Sequence, residues 1–111
     1  MRRALFICSR NRLRSPTAET VFANWSEVET DSAGLAPDAD VLLSAEQLEW
    51  ADLVFVMERH QRQSLLRRFP QAMRGKRLVC LDIPDDYAYL QPELVLLLER
   101  KAGPFLRQEG V

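Results

Sequence analysis

Cys8 and the arginines around it are the side chains of this sequence whose types and spacing are best suited to chemistry. Residues 1–14 hold five arginines and no acidic residue, and the segment from Cys8 to Ser15 reads CSRNRLRS. Proteins hold a phosphate group with successive backbone N–H groups, a helix N-terminus and a bidentate guanidinium. This segment can supply all three, and its positive field favours the thiolate form of Cys8, which is the nucleophilic form. The pattern predicts a phosphate-binding loop with a reactive cysteine.

The elements on either side of this loop are predicted from an apolar run and from helix-start signals. Residues 3–7 form a short, mainly apolar run that is typical of a buried strand. Ser15 is a favoured N-cap and Pro16 a favoured first helical residue, so a helix is predicted to begin there. Its apolar stripe comprises Ala18, Val21, Phe22 and Trp25. The opening unit is therefore strand, loop, helix.

Strand and helix signals alternate through the rest of the chain. Further strands are predicted at residues 28–32, 53–57 and 77–81, with a loop over residues 35–41. A second helix is predicted from the capping box Ser44-Ala45-Glu46-Gln47 to about residue 51. A third is predicted over residues 58–69, with Leu65, Leu66 and Phe69 docked. The last is predicted from Pro92 to Gly103-Pro104, with an apolar stripe at Leu94, Leu97, Leu98 and Lys101. The alternation predicts an α/β fold of three layers, in which a four-stranded parallel sheet carries helices on both faces and the phosphate-binding loop follows the first strand.

The length and composition of the chain are those of one globular domain, which we expect to span residues 1–111. No apolar run approaches the ~20 residues that cross a bilayer, and residues 1–7 lack the long apolar stretch of a signal peptide, so we expect a cytoplasmic protein without a membrane partner. The net charge of −1 argues against nucleic acid as a partner. One histidine and two separated cysteines give no zinc-ligand spacing, so neither a metal nor another cofactor is expected. Cys80 lies within an apolar strand run and is expected to pack in the core.

The segment around Cys8 resembles the phosphate-binding loop of the low-molecular-weight protein tyrosine phosphatases. That loop begins with the nucleophilic cysteine, has an asparagine three residues on and ends in Arg-Ser-Pro at the head of a helix. The matching residues here are Cys8, Asn11, Arg14, Ser15 and Pro16. Residues 31–34 and 51–57 resemble later stretches of the family in the same order. The segment between Gly34 and Ala51 is shorter than is typical, so the part of the pocket wall that it forms in the family cannot be carried over.

The resemblance implies a role for each residue of the loop. Cys8 would attack phosphorus and form a phosphocysteine intermediate, while Arg14 and the loop amides hold the phosphate oxygens. Ser15 would hydrogen-bond the thiolate, and Asn11 would keep the loop in shape. The other substrate-binding positions of the loop are Ser9, Arg10, Arg12 and Leu13. The side chains of Arg10 and Arg12 could be solvated charges or could recruit an anionic substrate.

The same resemblance requires a carboxylic acid that protonates the leaving oxygen and later activates water. It must come from the loop after the fourth strand, where two alignments compete. The Asp-Pro-Tyr of the family compares best with Asp85-Asp86-Tyr87, the proline being replaced, whereas counting from the strand end favours Asp82. We prefer Asp85, and Asp82 stays open as the alternative. Tyr87 would then lie beside the substrate ring.

These resemblances imply a cysteine-dependent phosphatase that hydrolyses phosphomonoesters, with protein phosphotyrosine as the default substrate. The expected partners are a phosphorylated protein or a small phosphomonoester, and phosphate or sulfate would occupy the loop. Phosphoarginine and a phosphorylated nucleic-acid end stay open as substrates. A phosphate-binding module without turnover is one competing function. An arsenate reductase-like enzyme is another, although it needs further cysteines near Cys8 and only Cys80 is available.

Overall fold

The structure is a computed structural model that describes residues 1–107, in which strands and helices alternate along the chain. The strands are β1 (Arg2–Cys8), β2 (Val28–Gly34), β3 (Leu53–Val56) and β4 (Arg77–Cys80). The helices are α1 (Arg14–Phe22), α2 (Ala45–Trp50), α3 (Arg59–Arg68) and α4 (Pro92–Leu106). Residues 108–111 of the expected domain lie outside the described residues. None of the helices in residues 1–107 has the length and apolar character to cross a bilayer.

The four strands form one parallel sheet in the order β2-β1-β3-β4. Successive side chains of β1 enter two separate cores, because neighbouring residues of a strand point to opposite faces of a sheet. Ala4 and Phe6 pack with α1 and α4, whereas Leu5 and Ile7 pack with α2 and α3. The predicted three-layer α/β fold is confirmed, and the Cys8 loop leaves the carboxyl end of an inner strand, where ligands bind in such folds.

Helix α1 begins at Arg14 rather than at Pro16, so the prediction that Ser15 is its N-cap was wrong. Leu13 occupies the N-cap position and makes no side-chain capping bond. The Ser15 hydroxyl is already engaged by Cys8 Sγ at 2.9 Å and by Asn11 Nδ2 at 3.0 Å. Pro16 fits within the first turn because the N–H it lacks has no intrahelical partner there. The loop chemistry thus overrides the ordinary capping preference of serine.

Helix α4 continues to Leu106, so the predicted end at Gly103-Pro104 was also wrong. Gly103 has no Cβ to clash with the proline ring, which removes the main reason for a helix to end before proline. The last turn buries Leu106 and places the Phe105 ring edge-on to Phe55, at 6.0 Å between centroids. This burial outweighs the hydrogen bond that Pro104 cannot make.

The apolar faces of α3 and α4 also differ from the prediction at single positions. Leu66 is 41% exposed, and α3 docks through Leu65 and the buried Gln61 instead. The stripe of α4 continues from Leu98 to Ala102 rather than to Lys101.

Candidate active site

Most of the residues predicted for chemistry line a pocket of about 550 Å³ at the carboxyl end of β1, whereas Asp82 and Tyr87 do not. The lining residues are Cys8, Ser9, Arg10, Arg12, Leu13, Arg14 and Asp85. Asn11 and Ser15 are buried behind the loop rather than in the pocket wall. No three His, Cys, Asp or Glu side chains of residues 1–107 are grouped as a metal site requires.

The peptide planes of the loop are oriented by the segment that follows β2. Three backbone N–H groups of that segment donate to the first three carbonyls of the loop. The pairs are Leu35 to Cys8 at 3.1 Å, Ala36 to Ser9 at 2.8 Å and Asp40 to Arg10 at 3.0 Å. Because N–H and C=O point in opposite directions in a trans peptide, the next N–H groups point the other way. Asn11 demonstrates this direction, since its N–H donates to Cys8 Sγ at 3.2 Å.

The sulfur of Cys8 lies at the floor of the pocket, and its residue is only 3% exposed. Besides the Asn11 amide, Ser15 Oγ lies 2.9 Å from Cys8 Sγ. A thiolate can accept hydrogen bonds from both groups, and these hydrogen bonds would stabilise its negative charge.

Asn11 is the centre of a buried polar network behind the loop. Its φ of 57° is left-handed, a conformation that asparagine tolerates better than most residues. Its Nδ2 donates to Ser15 Oγ at 3.0 Å and to Ser32 Oγ at 2.9 Å, and the Ser32 hydroxyl donates to the Glu19 carboxylate. The geometry supports the role predicted for Asn11. Sequence reasoning did not assign roles to Ser32 and Glu19, although Ser32 lies in the stretch 31–34 that resembles the family.

Arg14 is 3% exposed and is held at one end only. Its Nη1 donates to Glu58 Oε1 at 2.6 Å and to the Ile83 carbonyl at 2.8 Å, which uses both hydrogens of that nitrogen. The opposite edge of the guanidinium, formed by Nε and Nη2, is the edge that binds an anion side-on with two hydrogen bonds. Asp85 Oδ1 lies 3.7 Å from Nε, beside that edge.

Glu58 anchors Arg14 and was missed by sequence reasoning. Burial raises the pKa of the Glu58 carboxyl, but the hydrogen bond and charge of Arg14, together with the nearby His60, outweigh burial and hold its pKa below the ordinary value. His60 is 65% exposed and lies 3.6 Å from Glu58 Oε1. One signal was available: Glu58 follows the predicted third strand, and residues that follow parallel strands lie at the same edge of the sheet as the Cys8 loop.

The two candidate acids lie on different sides of the loop after β4. Asp85 lines the pocket and is 63% exposed. Asp82 faces Arg59 at 3.9 Å and Cys80 Sγ at 3.7 Å, outside the pocket, with a φ of 54°. Tyr87 packs against the core on the face of α1 and α4 and does not line the pocket, so its contact with a substrate ring stays a prediction.

Cys80 is the last residue of β4 and is half-buried against the core on the α2 and α3 face. Cys8 belongs to the core on the other face, and β3 separates the two strands. Strands lie ~4.8 Å apart, so the two Cα atoms are about 10 Å or more from each other, beyond the ~7 Å that a disulfide spans. The structure therefore does not bring a second thiol to Cys8.

Comparisons with known proteins place this geometry in a known fold. No protein-family model matches the sequence, and no curated protein does. Among solved structures, the YwlE arginine phosphatase from Geobacillus stearothermophilus is 24% identical with a TM-score of 0.76, covering 96% of this chain and 94% of that one. The tyrosine phosphatase Wzb from Escherichia coli K30, in complex with phosphate, is 25% identical with a TM-score of 0.74 and coverages of 97% and 98%.

A third similar structure is SP-PTP, a low-molecular-weight protein tyrosine phosphatase from Streptococcus pyogenes. It is 14% identical with a TM-score of 0.78, and the alignment covers 100% of this chain and 95% of that one. The chain has the low-molecular-weight protein tyrosine phosphatase fold. The resemblance seen in the Cys8 loop is thereby confirmed at the level of architecture, and the loop follows the first strand of a four-stranded parallel sheet, as the sequence predicts.

Proposed function

We propose that this chain is a cysteine-dependent phosphatase that hydrolyses phosphomonoesters through a phosphocysteine intermediate. The observation that carries the proposal is the position of Cys8 Sγ at the floor of a pocket whose wall includes Arg14 and Asp85. A nucleophile, an anion-binding fork and a carboxyl group converge there. The solved structures of the same fold are tyrosine and arginine phosphatases by name, which supports the same reaction class.

In the first step, the Cys8 thiolate attacks phosphorus while the loop amides and the Nε and Nη2 edge of Arg14 hold the phosphate oxygens. The S–P bond forms as the P–O bond to the leaving group breaks. Asp85 donates its proton to the leaving oxygen. It is the carboxyl group best placed for this, because it lies 3.7 Å from the edge of Arg14 that grips the phosphate.

In the second step, the Asp85 carboxylate takes a proton from water, and the resulting oxygen attacks phosphorus. The S–P bond breaks, inorganic phosphate leaves, and Cys8 returns as a thiolate. Ser15, at 2.9 Å from the sulfur, donates a hydrogen bond to the thiolate as its charge returns. Asp85 is then protonated and ready for the next cycle.

Protein phosphotyrosine is the substrate that we propose for this site. Leu13 contributes an apolar wall beside the loop, suited to an aromatic ring. Two of the similar structures are tyrosine phosphatases by name. Phosphoarginine is the second candidate, because YwlE is an arginine phosphatase.

Hydrolysis of p-nitrophenyl phosphate tests the proposal with a matched pair of cysteine variants. Cys8→Ser should abolish turnover, because a hydroxyl is a far weaker nucleophile than a thiolate. Cys80→Ser is the control and should keep most of the activity, because Cys80 lies outside the pocket. Acid quenching during turnover should trap one phosphoryl group on the wild-type enzyme, and peptide mapping should place it on Cys8.

The outcomes separate the competing functions. Phosphate binding without any turnover would identify a phosphate-binding module instead. Reduction of arsenate by a thiol donor, with no phosphatase activity, would identify an arsenate reductase. Full activity of Cys8→Ser would contradict the covalent mechanism. A comparison of phosphotyrosine and phosphoarginine as substrates then decides between the two side chains.

A further inference from the structure

The pocket is lined by two arginines besides the one that the proposed phosphate site uses. Three arginines and a single carboxylate line it: Arg10, Arg12, Arg14 and Asp85. Arg14 and the loop amides suffice to hold a phosphate in the manner proposed above. Arg10 and Arg12 lie at the rim, where their side chains are 64% and 45% exposed. Their presence in the pocket wall is not explained by the phosphate site alone.

Both rim arginines are held from outside the pocket by the segment that follows β2. Arg12 Nε donates to Asp40 Oδ1 at 3.1 Å, and its Nη2 donates to the Asp38 carbonyl at 3.0 Å. Arg10 Nε lies 3.7 Å from the Asp38 carboxylate. Neither aspartate lines the pocket. A guanidinium has five N–H donors, so within residues 1–107 these contacts leave Nη1 of Arg12 and both terminal nitrogens of Arg10 for a ligand.

Fold stability gives little reason to place these arginines here. Ion pairs between exposed side chains contribute little to stability. Three guanidinium groups on alternate residues of one loop repel each other, and Asp38 and Asp40 offset that repulsion without occupying the pocket side. The aspartates thus restrict the two arginines at the pocket rim and leave their remaining N–H donors for an anion.

We infer that Arg10 and Arg12 form an anion subsite at the rim, which selects phosphomonoesters that carry a second negatively charged group. The second group is a carboxylate or phosphate within reach of the two side chains. It can come from an acidic residue beside phosphotyrosine in a protein or from a second anionic substituent on a small molecule. The inference deepens the proposed phosphatase function and rests on it for the identity of the substrate.

Binding of phosphonates tests the subsite without depending on turnover, because the P–C bond is not hydrolysed. The small-molecule arm compares benzylphosphonate bearing a meta-carboxymethyl group with the matching carbamoylmethyl compound, by calorimetry. The peptide arm compares phosphonomethyl-phenylalanine peptides flanked by glutamate or by glutamine. We expect the charged member to bind about 3- to 10-fold more tightly in at least one arm, and the arm identifies the source. Raising the salt concentration should shrink the preference.

Charge-removing variants localise the effect. Arg10→Gln and Arg12→Gln should each reduce the preference, and the double variant should bring the ratio of the two affinities close to 1, because both ligands share the phosphonate and only one carries the second anion. Arg100→Gln on the exposed face of α4 removes the same charge at a distance and should leave the preference unchanged. A structural role alone would instead weaken charged and uncharged ligands equally.

The results separate this inference from the proposed function. Equal affinity for charged and uncharged ligands in both arms would overturn the subsite, even if p-nitrophenyl phosphate is hydrolysed. A preference that survives the double variant would overturn it as well. A clear preference without any hydrolysis would uphold the subsite and reject the phosphatase. Failure of all the phosphonates to bind would overturn both.

Discussion

Gly34 is the residue whose replacement by alanine tests most directly how the phosphate loop is shaped. It ends β2, where the following segment crosses behind the loop. A Cβ on Gly34 would lie 2.7 Å from the Ser9 carbonyl oxygen and 2.7 Å from Ala39 Cβ. Its φ is outside the left-handed region, so alanine adopts the backbone conformation freely and space is the only obstacle.

The size of the effect of Gly34→Ala follows from how closely the added Cβ approaches the Ser9 carbonyl oxygen. Ordinary contact begins at 3.4 Å, so the Ser9 carbonyl must retreat by roughly 0.7 Å from the 2.7 Å position. Overpacking of this kind costs about 1–3 kcal/mol, and the loss of glycine freedom in the unfolded chain returns about 0.4–1 kcal/mol. A domain of this size keeps its fold after such a loss. The loop amides move with the carbonyl, and a ~1 Å misplacement at a reacting centre costs ~100-fold in rate.

We therefore expect Gly34→Ala to lower kcat/KM for p-nitrophenyl phosphate by roughly 10- to 100-fold. Its melting temperature should fall by at most roughly 10 °C, so the domain stays folded at the assay temperature. Ala39→Gly alone is the control for loss of the Ala39 methyl group. The double variant, Gly34→Ala with Ala39→Gly, removes the clash with Ala39 and keeps the clash with the Ser9 carbonyl. Activity should stay low in the double variant. Activity of Gly34→Ala within twofold of the wild type, or its recovery in the double variant, would refute the assignment of the loop geometry to this contact.

Two further predictions concern the carboxyl groups around Arg14. Asp85→Asn should lower kcat by ~10²–10⁴-fold for phenyl phosphate and much less for p-nitrophenyl phosphate, because the p-nitrophenolate leaving group needs little protonation. Asp82→Asn is the control, and the opposite pattern in the two variants would assign the acid to Asp82. The folded-state pKa of Glu58 is lowered, so the ionised carboxylate contributes to the stability of the fold. This contribution should be fully present above ~4.3, the pKa of glutamate in unfolded chains, and should be lost as the pH falls through the lower folded-state pKa. Thermal melts should therefore show Glu58→Gln less stable than the wild type at pH 7, with the difference shrinking as the pH falls below the unfolded-state pKa, and an unchanged difference would contradict this account.

Local signals in the sequence predicted the elements of the fold well. The capping box at Ser44 is formed as predicted, with Gln47 N–H donating to Ser44 Oγ at 3.2 Å. The apolar runs became parallel strands because a sheet covered on both faces needs continuous apolar residues. The errors at Ser15 and Pro104 arose where a tertiary contact outweighed a local preference. Ser15 forms a hydrogen bond with the sulfur of Cys8, and the helical turn after Pro104 buries Leu106 in the core.

The contacts that shape the site could not be predicted in the same way, because they join segments far apart in the chain. The resemblance of the loop indicated Cys8 and Arg14, but nothing local indicates that Glu58 holds one end of that arginine. The competition between Asp82 and Asp85 likewise depends on the path of the loop after β4. That path turns at Asp82, whose positive φ directs its side chain away from the pocket.

A chain with a net charge of −1 is suited to bind a dianion because of where its charges are fixed rather than how many it has. Each arginine of the loop is held by an acidic residue from another segment: Arg14 by Glu58 after β3, and the two rim arginines by Asp38 and Asp40 after β2. These acids offset the repulsion among the arginines and restrict their side chains before a ligand arrives. The segment after β2 also donates hydrogen bonds to the loop carbonyls and so orients the loop amides toward the phosphate site before a phosphate binds. Substitutions in that segment should therefore weaken phosphate binding, measured by calorimetry, although none of residues 35–40 lines the pocket.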